Sequence, residues 1–154
     1  MAIAAGPRPV ELRVADVQPA PSQPDNPLYA AILEEVGGPR RIRIVMRKPE
    51  ADAIALHVQA LPTMRPLTYA FMAGLVQALG GRLAEARITR TDGQTIYAAV
   101  VVEGPLGTHT LDARPSDAIN LALRAGAPIR IEPAALEALC NAELQERAPG
   151  IEWV

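Results

Sequence analysis

The sequence predicts an α+β domain in which two β3α2 units merge into one strongly curved, barrel-like sheet with helices packed outside. Two observations lead there. Three strand-like segments followed by two helix-like ones occur twice in succession, and a short pattern recurs at the same place in each round, Asp52-Ala53-Ile54-Ala55-Leu56 against Asp117-Ala118-Ile119-Asn120-Leu121. Each copy follows a cation and a proline, Lys48-Pro49 and Arg114-Pro115. Neither unit buries its apolar face alone, so the copies are expected to share one core. The domain is placed at residues 10–141, with units of about 10–80 and 81–141 and tails at 1–9 and 142–154.

The elements follow from period and punctuation. Residues 10–17 alternate, with Val10, Leu12 and Val14 against Glu11 and Arg13, which predicts the first strand. Residues 18–27 hold four prolines among Ser, Asp and Asn and are expected to be an extended surface loop. Residues 28–35 read as the second strand, Gly37-Gly38 as a turn, and residues 41–47 as a third strand with Ile42, Ile44 and Met46 inward. A helix opens near Pro49, a tolerated first-turn position, and runs to about Gln59. Thr68 is expected to cap a second helix ending at Gly80. That helix is apolar nearly all round, with Tyr69, Phe71, Met72, Leu75, Val76 and Leu79, so it is either sandwiched in the fold or covered by a second subunit. Residues 82–91 and 94–103 form a hairpin across Asp92-Gly93, a strong two-residue turn signal. A strand ending at Asp112, a helix from Ser116, a short strand at 129–131 and a helix from Pro133 past Cys140 complete the order, with Trp153 as an anchor in the tail.

Composition bounds the function. The chain has 154 residues, enough for one domain, and its core must be aliphatic, since apolar residues make up 49% and aromatics 3%. A formal charge of −2 argues against a dedicated basic nucleic-acid binder and leaves room for a local basic groove. A single cysteine, Cys140, rules out an internal disulfide and a cysteine-rich zinc site. No run reaches the ~18 apolar residues of a membrane span, and the first residues lack a basic leader, so a soluble, cytoplasmic protein without membrane contact is expected.

The richest stretch is Asp112-Ala113-Arg114-Pro115-Ser116-Asp117-Ala118-Ile119. Pro115 forbids further ladder pairing, and Ser116 is expected as the N-cap of the helix, with Gly126 as its C-cap. Asp117 suits the positive end of the helix dipole and Arg124 the negative end, and Asp117, Asn120 and Arg124 fall on one polar stripe. This stretch, followed by Leu121-Ala122-Leu123-Arg124-Ala125-Gly126-Ala127-Pro128, resembles the bifunctional nuclease family. The similarity reaches back through Glu50-Ala51-Asp52 and Arg65-Pro66-Leu67-Thr68. It implies the same fold and hydrolysis of DNA or RNA phosphodiesters. One departure stands out. Where the family carries a His-Asp pair after the Arg-Pro-Leu-Thr segment, this chain has Tyr69 and Ala70, and Arg47 stands in place of the usual glycine before the first helix.

Candidate site residues follow, each with a plainer alternative. Asp112, Asp117 and Glu50 are the candidate catalytic carboxylates, and with Asp112 and Asp117 as ligands they could hold Mg²⁺ or Mn²⁺, which prefer oxygen donors. Asp52 and Asp117 occupy equivalent places in the two copies, which favours stabilisation of a helix start over chemistry. Asp112 has no counterpart, and either function or an Asp112–Arg114 pair fixing the turn would account for it. Arg114 is the expected clamp on a phosphate, with Ser116, Arg41, Arg43 and Arg65 as further substrate contacts. Arg41, Arg43 and Arg47 lie on the outward face of one strand, and Arg41 and Arg43, at i and i+2, stand ~6.6 Å apart, roughly the phosphate repeat of an extended single strand. Equally, they could pair with Glu34 and Glu35 across the turn. His57 and His109 are isolated and Cys140 reads as core packing. A second function class remains open: a catalytically silent, dimeric binding module of the same fold, suggested by the missing His-Asp pair and the apolar helix at 69–79. A third is a small-molecule pocket within the curved sheet.

Overall fold

The computed structural model describes residues 6–146 of the chain, so Trp153 lies outside the described residues. The order is β1 (Val10–Gln23), β2 (Asn26–Glu35), β3 (Arg41–Arg47), α1 (Lys48–Val58), α2 (Thr68–Ala78), β4 (Arg82–Thr91), β5 (Ile96–Gly104), β6 (Gly107–Ala113), α3 (Pro115–Ala125), β7 (Ile129–Ile131) and α4 (Pro133–Glu146). The seven strands form one mixed sheet in the order β3-β2-β1-β7-β4-β5-β6. β3 and β6 end it, so the sheet is open and not the closed barrel its curvature was expected to approach. Two three-strand meanders recur, but they meet through β7, which runs antiparallel to β1 and parallel to β4. The first unit has no equivalent of β7, and simple doubling of β3α2 omits it.

One core lies under the helix-covered face. Leu33, Ile42, Ile44, Ile88 and Ile131 from the strands meet Ile54 of α1, Ile119 of α3 and Leu136 of α4, all fully buried. Strand alternation places Ile42, Ile44 and Met46 inward as expected. α2 differs: it packs against α3 and β4 yet contains no buried residue.

Several local expectations are corrected. Residues 18–27 are not a loop: the β1–β2 hairpin continues to Gln23 and Asn26 around Pro24-Asp25, with Pro19 opposite Tyr29 and Ala20 opposite Leu28. β7 reaches only Val10 to Leu12 of β1, so the proline-bearing half of β1 pairs on one side alone, where a missing N–H is tolerated. Asp92-Gly93 belongs to a four-residue connection, because Asp92 Oδ1 accepts the backbone N–H of Gln94 at 3.1 Å and of Thr95 at 2.8 Å. Ser116 is not the N-cap of α3. Arg114 holds that position in extended conformation with Pro115 first in the helix, and Leu67, not Thr68, precedes α2 in the same way. Gly126 is the C-cap, at φ 66°.

Candidate functional site

Proline at the start of α1 and of α3 sets both helices running just after a strand ends, and the two packed helices bring their first turns together. Asn120 fixes this arrangement. It is buried, and its side-chain amide donates to the Glu50 carbonyl at 3.1 Å and the Ser116 carbonyl at 3.0 Å. Arg124 adds a 3.4 Å bond to the Ala53 carbonyl. The polar stripe of α3 is thus the seam with α1.

At that seam Arg114 bridges two carboxylates. Its Nε donates to Asp117 Oδ2 at 2.7 Å, and its Nη2 to Asp117 Oδ1 at 2.9 Å and Glu50 Oε1 at 3.1 Å. Tyr69 of α2 donates its hydroxyl to Asp117 Oδ1 at 2.7 Å. Burial works to raise the Asp117 pKa, but the hydrogen bonds from Arg114 and Tyr69 outweigh it and hold the carboxyl below its usual range. Burial, then the bond to Asp117, pushes the Tyr69 phenol well above its ordinary value. Glu50 Oε2 is buried without a hydrogen-bond partner.

The other candidates separate. Asp112 is exposed and makes no side-chain hydrogen bond or ion pair among the described residues, so the Asp112–Arg114 pair does not form. The β6 ladder sets Leu111 opposite core Val100 and Asp112 opposite Ala99, which puts the Asp112 side chain on the other face of the strand from Leu111. Asp52 forms an exposed i,i+4 pair with Lys48 at 2.7 Å and is not equivalent to Asp117 in its contacts. Arg41 pairs with Glu34 at 2.5 Å, the plainer of its two readings, and Arg65 is exposed in the loop before α2, outside the cluster. Arg43, Arg47, Arg114, Ser116 and Glu50 do come together. They line a groove of about 770 Å³ between β3 and the β4–β5 connection, with Leu139 and Glu143 of α4 on its wall. A second, largely apolar cavity of about 860 Å³ lies between α2 and the β5–β6 edge, and Glu50, Tyr69, Asp112, Arg114 and Asp117 all contribute to its lining.

A divalent ion does not fit this arrangement. Such an ion takes several oxygen ligands, whereas both Asp117 oxygens are engaged and a guanidinium stands between Asp117 and Glu50. Among the described residues, no three His, Cys, Asp or Glu side chains group as metal ligands.

The sequence reading gave Tyr69 no role in the site: it counted the residue in an apolar helix and noted it only as a departure from the expected pattern. The available signal was that position, directly after Arg65-Pro66-Leu67-Thr68. The raised phenol pKa has a testable sign. A group that stays protonated in the fold contributes stability fully below its unfolded pKa of about 10 and loses it as pH rises beyond. At pH 8, Tyr69→Phe should cost about 1 kcal/mol for the lost hydrogen bond. Thermal unfolding from pH 8 to 11 should show wild type converging on the variant above pH 10; parallel curves would exclude the coupling.

The two helix entrances thus gather two carboxylates and a guanidinium beside an arginine-lined groove. Residues 31–142 match the bifunctional nuclease domain, and the chain belongs to that family. It is also similar to two proteins of Mycobacterium tuberculosis, uncharacterized protein MT1877 of strain CDC 1551 / Oshkosh and uncharacterized protein Rv1829 of strain ATCC 25618 / H37Rv. Each is 37% identical over 126 residues, covering 82% of this chain and 73% of the relative. No helix among the described residues is long and apolar enough to cross a membrane.

Proposed function

We propose that the chain acts on DNA or RNA phosphodiesters, with the nucleic-acid strand lying in the groove that Arg43, Arg47 and Arg114 line. That shared groove is the observation supporting the reading. Three guanidiniums along one channel supply the sequence-independent phosphate attraction that a strand-binding surface requires. Arg114 is the clamp, because its Nη1 makes no hydrogen bond among the described residues while Nε and Nη2 are tied down. Asp117 and Tyr69 act as positioning residues for that guanidinium, and Glu50 is the group this reading uses to take a proton from water. Ser116 contributes to the groove floor.

A second reading, a binding module without catalysis, is favoured by one specific observation: Arg114 fills the space between the carboxylates that a hydrolytic metal would otherwise claim. One experiment addresses both. Labelled single-stranded DNA and RNA oligonucleotides are incubated with wild type, Glu50→Gln, Asp112→Ala and the double variant Arg43→Ala/Arg47→Ala, with and without Mg²⁺ or Mn²⁺. Cleavage that disappears in Glu50→Gln, with weaker binding in the double variant, is the expected result. Loss in Asp112→Ala returns the strand-end aspartate to the chemistry. Binding without cleavage selects the second reading, and absence of binding to either polymer removes both.

A further inference from the structure

At the other end of the sheet from β3, the edge strand β6 is exposed from Gly107 to Asp112. Soluble proteins blunt such edges with lysine, proline, a bulge or a covering element. β6 contains no lysine, arginine or proline, its ladder with β5 is unbroken, and nothing among the described residues pairs with its outer side. The opposite edge is treated differently. β3 carries Arg41, Arg43 and Arg47, and α4 lies against it, with Cys140 Sγ 3.5 Å from the Arg41 carbonyl.

An apolar surface adjoins the bare edge. Phe71, Met72 and Leu75 of α2, Leu79 at its C-cap, Leu106 before β6 and Leu111 within β6 are 40–91% exposed. The surface is continuous, since Met72, Leu75 and Leu111 line one cavity, and a Cβ at Gly80, just past α2, would stand 3.2 Å from Pro105 in the β5–β6 turn. Together these six side chains expose on the order of 800 Å², about one partner's share of a standard interface.

We propose that β6 pairs antiparallel with β6 of a second copy of this chain, about a two-fold axis at Thr110, the middle residue of the strand. This register joins Thr110 to Thr110, Thr108 to Asp112 and His109 to Leu111, and sets no like charges opposite one another. Leu111 and His109 share the cavity face, because they oppose Val100 and Val102 of β5. The partner's copies of these side chains therefore extend the apolar wall and close the open side of the cavity against α2. The pairing does not rest on the nucleic-acid reading, whose groove lies beside β3, although Glu50, Arg114 and Asp117 also line the cavity that the second copy would close.

Sedimentation equilibrium tests it. The wild-type chain should be a dimer at micromolar concentration. Thr110 is exposed, so Thr110→Lys and Thr110→Glu should keep the fold, checked by circular dichroism, while setting two like charges at the axis and weakening association at least about tenfold. Mixing the two variants should restore association to within about tenfold of wild type, and Leu111→Glu should weaken it from the apolar side. A wild-type monomer at ~50 μM would overturn the proposal. So would a dimer that neither Thr110 variant weakens, or folded variants whose mixture fails to reassociate.

Discussion

Arg114→Ala should weaken single-stranded oligonucleotide binding by roughly 10- to 100-fold, the worth of a charge-assisted hydrogen bond of about 1.5–3 kcal/mol. The salt dependence should flatten as well, by about 0.7 in slope for each phosphate the protein no longer neutralises. Arg114→Lys keeps the charge but not the two-pronged grip on Asp117, so it should recover only part of the affinity. The same alanine variant should also lower stability, because Glu50 and Asp117 are left facing each other without a cation. The Arg114 side chain is 63% exposed and the Asp117 side chain 31%, though Glu50 is largely buried, so this cost should stay near 1–2 kcal/mol, below that of a fully buried pair. Arg114→Ala combined with Glu50→Gln separates the two effects. Removing one of the unpaired charges should return most of the stability without returning affinity. If affinity returns with stability, Arg114 is a structural bridge and the phosphate clamp lies elsewhere.

The Asp117 carboxyl gives this cluster a pH signature of its own. Its folded pKa lies below its unfolded value, so the stability it contributes is present above the unfolded pKa of about 4 and is lost as pH falls through the folded value. Arg114→Ala removes the main donors that hold the carboxyl down. The variant should therefore lose less additional stability than wild type on acidification from pH 5 to pH 2.

What could be read from the residues was what short-range rules govern. Gly126 marked the end of α3, though its start was read as capped by Ser116 where Arg114 holds that place, and Ile42, Ile44 and Met46 marked the inward face of β3. The gathering of Glu50 and Asp117 followed from two helices that start after strands. The rest depended on long-range placement. Tyr69 reaches Asp117 across 48 positions, and no periodicity in α2 announces it. Asp112 lies five residues from Asp117 and lines the same cavity, yet it makes no bond to the cluster, and strand alternation puts its side chain on the other face of β6 from Leu111. Four prolines in residues 18–27 looked like a loop because nothing local reveals that this half of β1 pairs on one side only. The internal repeat suggested equivalence of Asp52 and Asp117, but Asp52 has only Lys48 beside it, and the insertion of β7 breaks the correspondence between halves.

Glu85→Ala should be the most destabilising single change on the face of the sheet away from the core, at about 3 kcal/mol. Glu85 of β4 is 5% exposed although charged, and its two oxygens are taken separately by Arg87 of the same strand and Arg130 of β7. Arg87 also reaches Glu132 at 3.2 Å, so the carboxylate sits inside a four-residue network. β7 is three residues long and is the joint through which the two meanders meet, so a side chain that fastens Arg130 to β4 fastens the halves of the sheet. Removing the carboxylate leaves two guanidiniums side by side, and breaking buried pairs costs about 3–5 kcal/mol. The arginine side chains are 35% and 37% exposed and can partly rehydrate, which sets the expectation at the lower end. For a chain of this size that is a fall of roughly 10 °C in Tm. Glu85→Gln, which keeps shape and acceptor but not charge, should fall between alanine and wild type. The double variant Glu85→Ala/Arg130→Met should be more stable than Glu85→Ala alone, since it removes a stranded cation. Urea melts of the four proteins decide the matter: a Glu85→Ala cost below about 1 kcal/mol, or no recovery in the double variant, would mean that β7 is held by Ile129 and Ile131 in the core and not by this network.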